Sequence, residues 1–200
     1  MRHLPLLMLL GVLGGCSTPG AFFGALDGPS FQARGIEPQH ALVYLYRPRS
    51  DWADQELEAP GLFLDNRLIG GLPSQGHLAL GFEGASYQLE MRRPLFGSYW
   101  TWFADGPLDF TRITSFALEA KPGEVYYLRY DELGPPPQCE AAPDAAEGPL
   151  QLVCVSLGET EIGATHEVQP FERITSDGQV ERPQRGFWRG VGRALGRIGI

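Results

Sequence analysis

Ala85-Ser86-Tyr87-Gln88-Leu89-Glu90-Met91-Arg92-Arg93 decides the fold class of this chain. Tyr87, Leu89 and Met91 fall on one face of an extended backbone and Gln88, Glu90 and Arg92 on the other, the period of a strand with one face on a core. Pro94 closes it by withdrawing a backbone donor. Upstream, His77–Phe82 fits another strand. Leu62-Phe63-Leu64, Asp65-Asn66 and Leu68-Ile69-Gly70 read as strand, turn and strand, because Asn tolerates the left-handed backbone of a tight hairpin. Ala41–Arg47 is β-rich and apolar up to its last residue, so both faces should be covered and the strand central. Residues 49–60 read as a polar, acidic loop. Downstream, Ile113–Glu119 and Glu124–Tyr130 are expected as strands joined by a tight reversal at Lys121-Pro122-Gly123. Leu150–Ser156 is expected as a strand carrying Cys154, and His166–Ile174 as a last one. Short strands separated by Gly and Pro, without a long helical period, indicate an all-β fold: a small β-sandwich, with an open barrel as the variant.

The amino end has a different character. Arg2 and His3 lead into the apolar run Leu4–Leu13, too short to span a bilayer but suited to an export signal. It ends at Leu13-Gly14-Gly15-Cys16, which resembles the lipobox of bacterial lipoproteins. The resemblance implies cleavage before Cys16 and acylation of its thiol and new amino group. Residues 1–15 are thus expected as a lipoprotein signal peptide, 16–39 as a Gly- and Pro-rich tether, 40–175 as the sandwich domain and 176–200 as a basic tail. Ser17 follows the cysteine, and lipoproteins lacking Asp there are sorted to the outer membrane, so the expected location is the bacterial envelope, lipid-anchored and facing the periplasm. With Cys16 assigned to lipid, Cys139 and Cys154 remain. Export places them in an oxidising compartment, where such a pair is usually a disulfide.

The formal charge of −8 comes from 16 basic and 24 acidic groups, and it conceals a split. Arg182, Arg185, Arg189, Arg193 and Arg197 lie in a segment with no acid, so the body is more acidic than the average. That argues against nucleic acid as the body's partner. On a helical projection Arg185, Arg189, Arg193 and Arg197 gather on one side, and Phe187, Trp188, Val191, Ala194, Leu195 and Ile198 on the other. A basic amphipathic helix with aromatic residues at its start suits an anionic membrane surface. Docking on the acidic body and a disordered tail are the alternatives.

Three further pieces look familiar together: Ala-Leu-Val-Tyr-Leu-Tyr-Arg-Pro (41–48), Gly-Leu-Phe-Leu-Asp-Asn-Arg-Leu-Ile-Gly (61–70) and Lys-Pro-Gly-Glu-Val-Tyr-Tyr-Leu-Arg-Tyr (121–130). In order and spacing they resemble the bacterial envelope family DUF2846, which runs from a Tyr-Arg-Pro strand through an Asp-Gly hairpin to a Gly-x-x-Tyr-Tyr strand. The resemblance spans about 41–131. This chain departs from it in having Asn66 where the turn usually has Gly, and in the segment 95–103, which looks inserted. It implies a small β-sandwich on a lipoprotein and lends no catalytic residue.

No set of side chains announces a reaction. His40, His77 and His166 lack neighbours at metal-ligand spacing, so neither metal nor cofactor is expected, and these histidines read as solvated or at sheet edges. Glu56 with Glu58 and Glu159 with Glu161 are the carboxylate pairs a glycoside hydrolase would need, but they sit in loop-like sequence where solvated charge is the default. Tyr99, Trp100 and Trp102 are three large aromatics in five residues. They suit a glycan, lipid or protein interface, with core packing as the equal alternative. The expected function is a non-catalytic envelope lipoprotein that binds or scaffolds. A glycan-acting envelope enzyme, or a protective or inhibitory lipoprotein binding an exported protein through acidic residues such as Asp51, Asp54 and Glu56, are the alternatives.

Overall fold

The computed structural model describes residues 28–95, 110–141, 148–170, 173–174 and 180–181. In chain order the elements are β1 (His40–Tyr46), α1 (Asp51–Gln55), β2 (Gly61–Leu64), β3 (Arg67–Gly71), β4 (Gly76–Glu83), β5 (Ala85–Pro94) and β6 (Phe110–Ala120). They continue with β7 (Val125–Tyr130), β8 (Leu150–Val153), α2 (Val155–Ile162), β9 (His166–Glu167), β10 (Arg173–Ile174) and β11 (Val180–Glu181). Two sheets carry the fold, ordered β8-β7-β1-β4-β9 and β3-β2-β5-β6, with β10 and β11 as a separate two-stranded ladder. The two sheets form a sandwich and do not close into a barrel.

The alternation in β5 works as its pattern predicts. Tyr87, Leu89 and Met91 enter the core with Leu62 and Leu64 of β2 and Phe116 and Leu118 of β6. Facing them are Val43 and Leu45 of β1, Leu78, Leu80 and Phe82 of β4, and Leu128 and Tyr130 of β7. Each fully buried aliphatic or aromatic side chain contributes about 1.5–3 kcal/mol, so this layer is the main source of stability. β1 is central, antiparallel to β4 and parallel to β7. Its other face, Leu42, Tyr44 and Tyr46, forms a second cluster with Tyr127, Val153 and Ile162, against which Phe31 and Leu157 pack. That two-sided cover is why the strand is apolar throughout. The β2–β3 hairpin turns at Asp65 (φ 46°) and Asn66 (φ 67°), two successive left-handed residues as the twist of paired strands requires.

Four expectations need correction. The loop 49–60 contains α1: Ser50 caps it, its Oγ accepting from the Ala53 N–H at 3.2 Å, and Asp51 and Asp54 sit in the first turn where the helix dipole favours acids. The strand through Cys154 stops at Val153, and Cys154 is the N-cap of α2, which lays Leu157 and Ile162 on the outer face of β1 and β7. Lys121-Pro122-Gly123 makes the expected tight turn, the Glu124 N–H donating to the Lys121 carbonyl at 3.2 Å, but it is a corner between sheets rather than a reversal within one, since β6 pairs with β5 in one sheet while β7 pairs with β1 in the other. His166–Ile174 is not one strand: β9 pairs with β4 and β10 with β11. Within the expected tether, the chain from Gly28 already contacts the sandwich, where Ser30 bridges to His166.

Candidate functional site

One end of the sandwich concentrates charge where little is expected. Arg47 follows β1 on its core-facing side and is 2 % exposed. Its Nη1 donates to Glu56 Oε2 at 2.5 Å and to the Leu72 carbonyl at 3.4 Å, and its Nη2 pairs with Glu132 Oε1 at 3.4 Å. Arg93, near the end of β5, reaches the same two carboxylates: Glu132 Oε2 in a short contact and Glu56 Oε1 at 3.5 Å. Two guanidiniums thus bracket two carboxylates from both sheets and from the segment after α1. The Tyr130 hydroxyl adds a hydrogen bond to Glu132 Oε1 at 2.7 Å, and the Tyr130 ring lies 5.3 Å below the Arg47 guanidinium. Burial, reinforced by Glu132, pushes the Tyr130 phenol far above its usual range, so it acts as a fixed donor. Charges this buried are tolerated only when mutually paired.

A cavity of about 370 Å³ opens beside this quartet, lined by Trp52 and Gln55 of α1, Glu56, Leu57, Glu58, Arg93 and Pro94. Arg93 lies 5.7 Å from the Trp52 ring, joining the rim to the charges beneath. Trp52 and Leu57 in this lining are 43 % and 70 % exposed, and Leu95, next in the chain after Pro94, is 57 % exposed. The helix supplies Trp52, the loop after it Leu57, and the end of β5 supplies Arg93 and Pro94. All three segments meet because Glu56 and Arg93 share the quartet.

A second polar cluster lies on the opposite face of the same sheet. The Tyr46 hydroxyl donates to Glu161 Oε2 at 2.6 Å, and Arg129 Nε pairs with that oxygen at 3.2 Å. Arg129 also donates to Asp131 Oδ2 at 2.7 Å and to the Pro135 carbonyl at 3.3 Å, so it fastens α2 and the following loop to β7. Burial, then the Glu161 hydrogen bond, raise the Tyr46 phenol far above its usual range. Cys139 and Cys154 form a disulfide with a Cα–Cα distance of 5.7 Å, and the Cys154 N–H donates to the Cys139 carbonyl at 3.3 Å.

These placements alter several expectations about single residues. Glu56 is not a solvated loop carboxylate, since its side chain is 11 % exposed between two arginines. Glu159 and Glu161 lie on α2 rather than in a loop, and Glu161 is engaged by Tyr46 and Arg129. Asp54 is held by Arg49 and by the Ser74 hydroxyl. His77 is buried, not at an edge, while His40 pairs with Glu37. No group of three metal-binding side chains occurs among the described residues. Cys16, the aromatic residues Tyr99, Trp100 and Trp102, and the tail from Arg185 to Ile198 lie outside the described residues. The quartet itself escaped the sequence reading, although a signal existed: Arg47-Pro48 and Arg93-Pro94 both set an arginine at a strand end immediately before a proline.

No curated protein and no solved structure shows a significant match to the chain. A family described as a protein of unknown function, DUF2846, matches residues 37–143. That span is more than half of the chain and takes in β1 to β7, Arg47, Glu56, Arg93, Glu132 and Cys139. On this match the chain belongs to the DUF2846 family.

Proposed function

We propose that this protein is a non-catalytic envelope lipoprotein, lipid-anchored through Cys16, whose β-sandwich binds an exported protein or an envelope glycan at the end of the sandwich that carries Trp52, Leu57 and Leu95. The observation that carries the binding role is that rim: two large apolar side chains, Trp52 and Leu57, exposed in the lining of a cavity that also takes in Glu56 and Arg93 of the paired charge cluster. Exposed apolar groupings of this kind mark interaction sites more often than chance surface, and lining residues fixed by ion pairs lower the ordering cost of binding. Export is supported by the Leu13–Cys16 motif and by the Cys139–Cys154 bridge, which persists in oxidising compartments. The basic amphipathic tail is a second membrane contact in this reading. Acidic recognition through Asp54 and Glu56 is disfavoured, because Arg49, Ser74, Arg47 and Arg93 already hold those carboxylates.

The test is a photoreactive side chain at Leu57, or at exposed Glu119 on β6 as the control, in the full chain within intact envelopes. The reading expects one crosslinked component at position 57, absent at 119 and lost when Trp52→Ala is added. The same product at both positions, or indifference to Trp52→Ala, would remove the rim as the binding surface.

A further inference from the structure

Residues 28–34 form a strap laid along the outer side of β9 and across β4. Backbone bonds hold it: the Phe31 N–H donates to the Thr165 carbonyl at 3.1 Å and the Glu167 N–H to the Pro29 carbonyl at 2.9 Å. The Arg34 N–H donates to the Tyr44 hydroxyl at 2.7 Å, and Arg34 Nη2 pairs with Glu167 Oε1 at 2.5 Å. Gly28 approaches β9 so closely that a Cβ there would sit 1.9 Å from the Glu167 carbonyl oxygen. Phe31 is the strap's one large apolar anchor. Its ring stands edge-on to Tyr44 at 5.1 Å and to His77 at 5.4 Å.

His77 is 2 % exposed beneath that ring. Its Nδ1 lies 2.8 Å from Thr165 Oγ1, and the Thr165 hydroxyl spends its single hydrogen on the Ile162 carbonyl at 2.7 Å. The hydroxyl is therefore the acceptor at His77, so Nδ1 carries the imidazole proton and Nε2 holds a lone pair. Three charged or titratable groups act on the ring. Glu167 of β9 favours a positive charge, whereas Arg34 of the strap and His166 of β9 oppose one. When the strap leaves, Phe31 uncovers the ring, Arg34 departs, and Glu167 loses its partner and is free to face an imidazolium. Docking and protonation thus compete for the same site.

We infer that the strap is a pH-gated latch: it stays docked while His77 is neutral and releases when solvent delivers a proton to Nε2. Release frees residues 28–39, roughly 40 Å of contour. That extra reach between anchor and sandwich rests on the lipid-anchor reading, whereas the latch itself does not. The direction follows by linkage. Burial above all, and then the Arg34 and His166 charges, hold the docked His77 pKa below its ordinary value. Phe31 and Arg34 of the strap supply part of that cover and repulsion, so the pKa rises when the strap leaves, and docking weakens as pH falls from the released value toward the lower docked one.

The experiment is hydrogen exchange on the full chain from pH 7.5 to 4.5, corrected for intrinsic rates. It compares the strap peptide 28–36 with β1, which reports whether the sandwich is intact. The latch predicts that strap protection falls by up to tenfold per pH unit, the limit for one proton, while β1 stays protected and His77→Gln flattens the profile. Constant strap protection, a pH dependence that survives His77→Gln, or simultaneous loss in strap and β1 would each overturn it. If His77→Gln does not fold, Phe31→Ala takes its place: the strap should exchange freely at every pH, and a retained pH dependence overturns the latch. A flat wild-type profile leaves the lipid anchor untouched, and an unacylated Cys16 leaves the latch untouched.

Discussion

Arg47→Met is the most informative perturbation of the sandwich end. Methionine keeps the apolar stem that packs by Tyr130 but removes the guanidinium. Arg47 is almost wholly buried, and the Glu56 and Glu132 side chains are 11 % and 10 % exposed. After the substitution two buried carboxylates share one cation, Arg93, whose own side chain is 43 % exposed. Removing one partner from a buried pair typically costs about 3–5 kcal/mol, against about 0–1 kcal/mol for an exposed pair. The larger figure is a substantial part of the roughly 5–15 kcal/mol that holds a domain folded. With a urea slope of about 1–3 kcal/mol per molar, the midpoint should fall by roughly 2 M. The assay is urea unfolding of the full chain, repeated in high salt, because ions screen a buried cluster weakly. Adding Glu132→Gln to Arg47→Met restores one carboxylate per arginine and should recover part of the loss. A loss below about 1 kcal/mol, or one that vanishes in salt, would show that the quartet behaves as a surface ion pair and would refute the argument.

Other substitutions probe other parts of the fold. Reducing the Cys139–Cys154 bridge, which spans a separation of 15 residues, should cost about 3 kcal/mol in the chain-entropy model, read as a lower urea midpoint with reductant. Gly158→Ala would place a Cβ 2.3 Å from Tyr127 Cγ, where α2 crosses β7; overpacking of this kind costs about 1–3 kcal/mol, and calorimetry should record a lower melting temperature. Tyr46→Phe removes a hydrogen bond to the Glu161 carboxylate and should cost about 1.5–3 kcal/mol in the same urea assay. A peptide of residues 182–200 should gain helical circular dichroism on anionic vesicles and lose it in high salt, and an unchanged spectrum would remove the tail as a membrane contact.

The strands were legible because period and turn chemistry are local. Tyr87, Leu89 and Met91 declare a buried face within a few residues, and Asp65-Asn66 declares a turn within two. The helices were not, since five residues at Asp51–Gln55 and eight at Val155–Ile162 offer too few turns for a helical period to stand out. The corner at Pro122 reads locally like a hairpin, because only sheet membership separates the two, and that depends on β1 lying beside β7. The quartet is invisible for a related reason: Arg47 and Glu56 lie nine residues apart but Arg93 and Glu132 come from distant segments, so the charges look solvated until two sheets bring them together. His77 reads as solvated or at an edge because part of its cover, Phe31, comes from the segment expected to be tether.

We propose that this DUF2846 chain works in the envelope from a lipid on Cys16, and fatty-acid labelling checks that anchor without intermediaries. In cells fed a labelled fatty acid, the wild-type chain should lose residues 1–15 and carry label, while Cys16→Ser should carry none. Label on Cys16→Ser, or an unlabelled wild-type chain that retains its first 15 residues, would contradict the account.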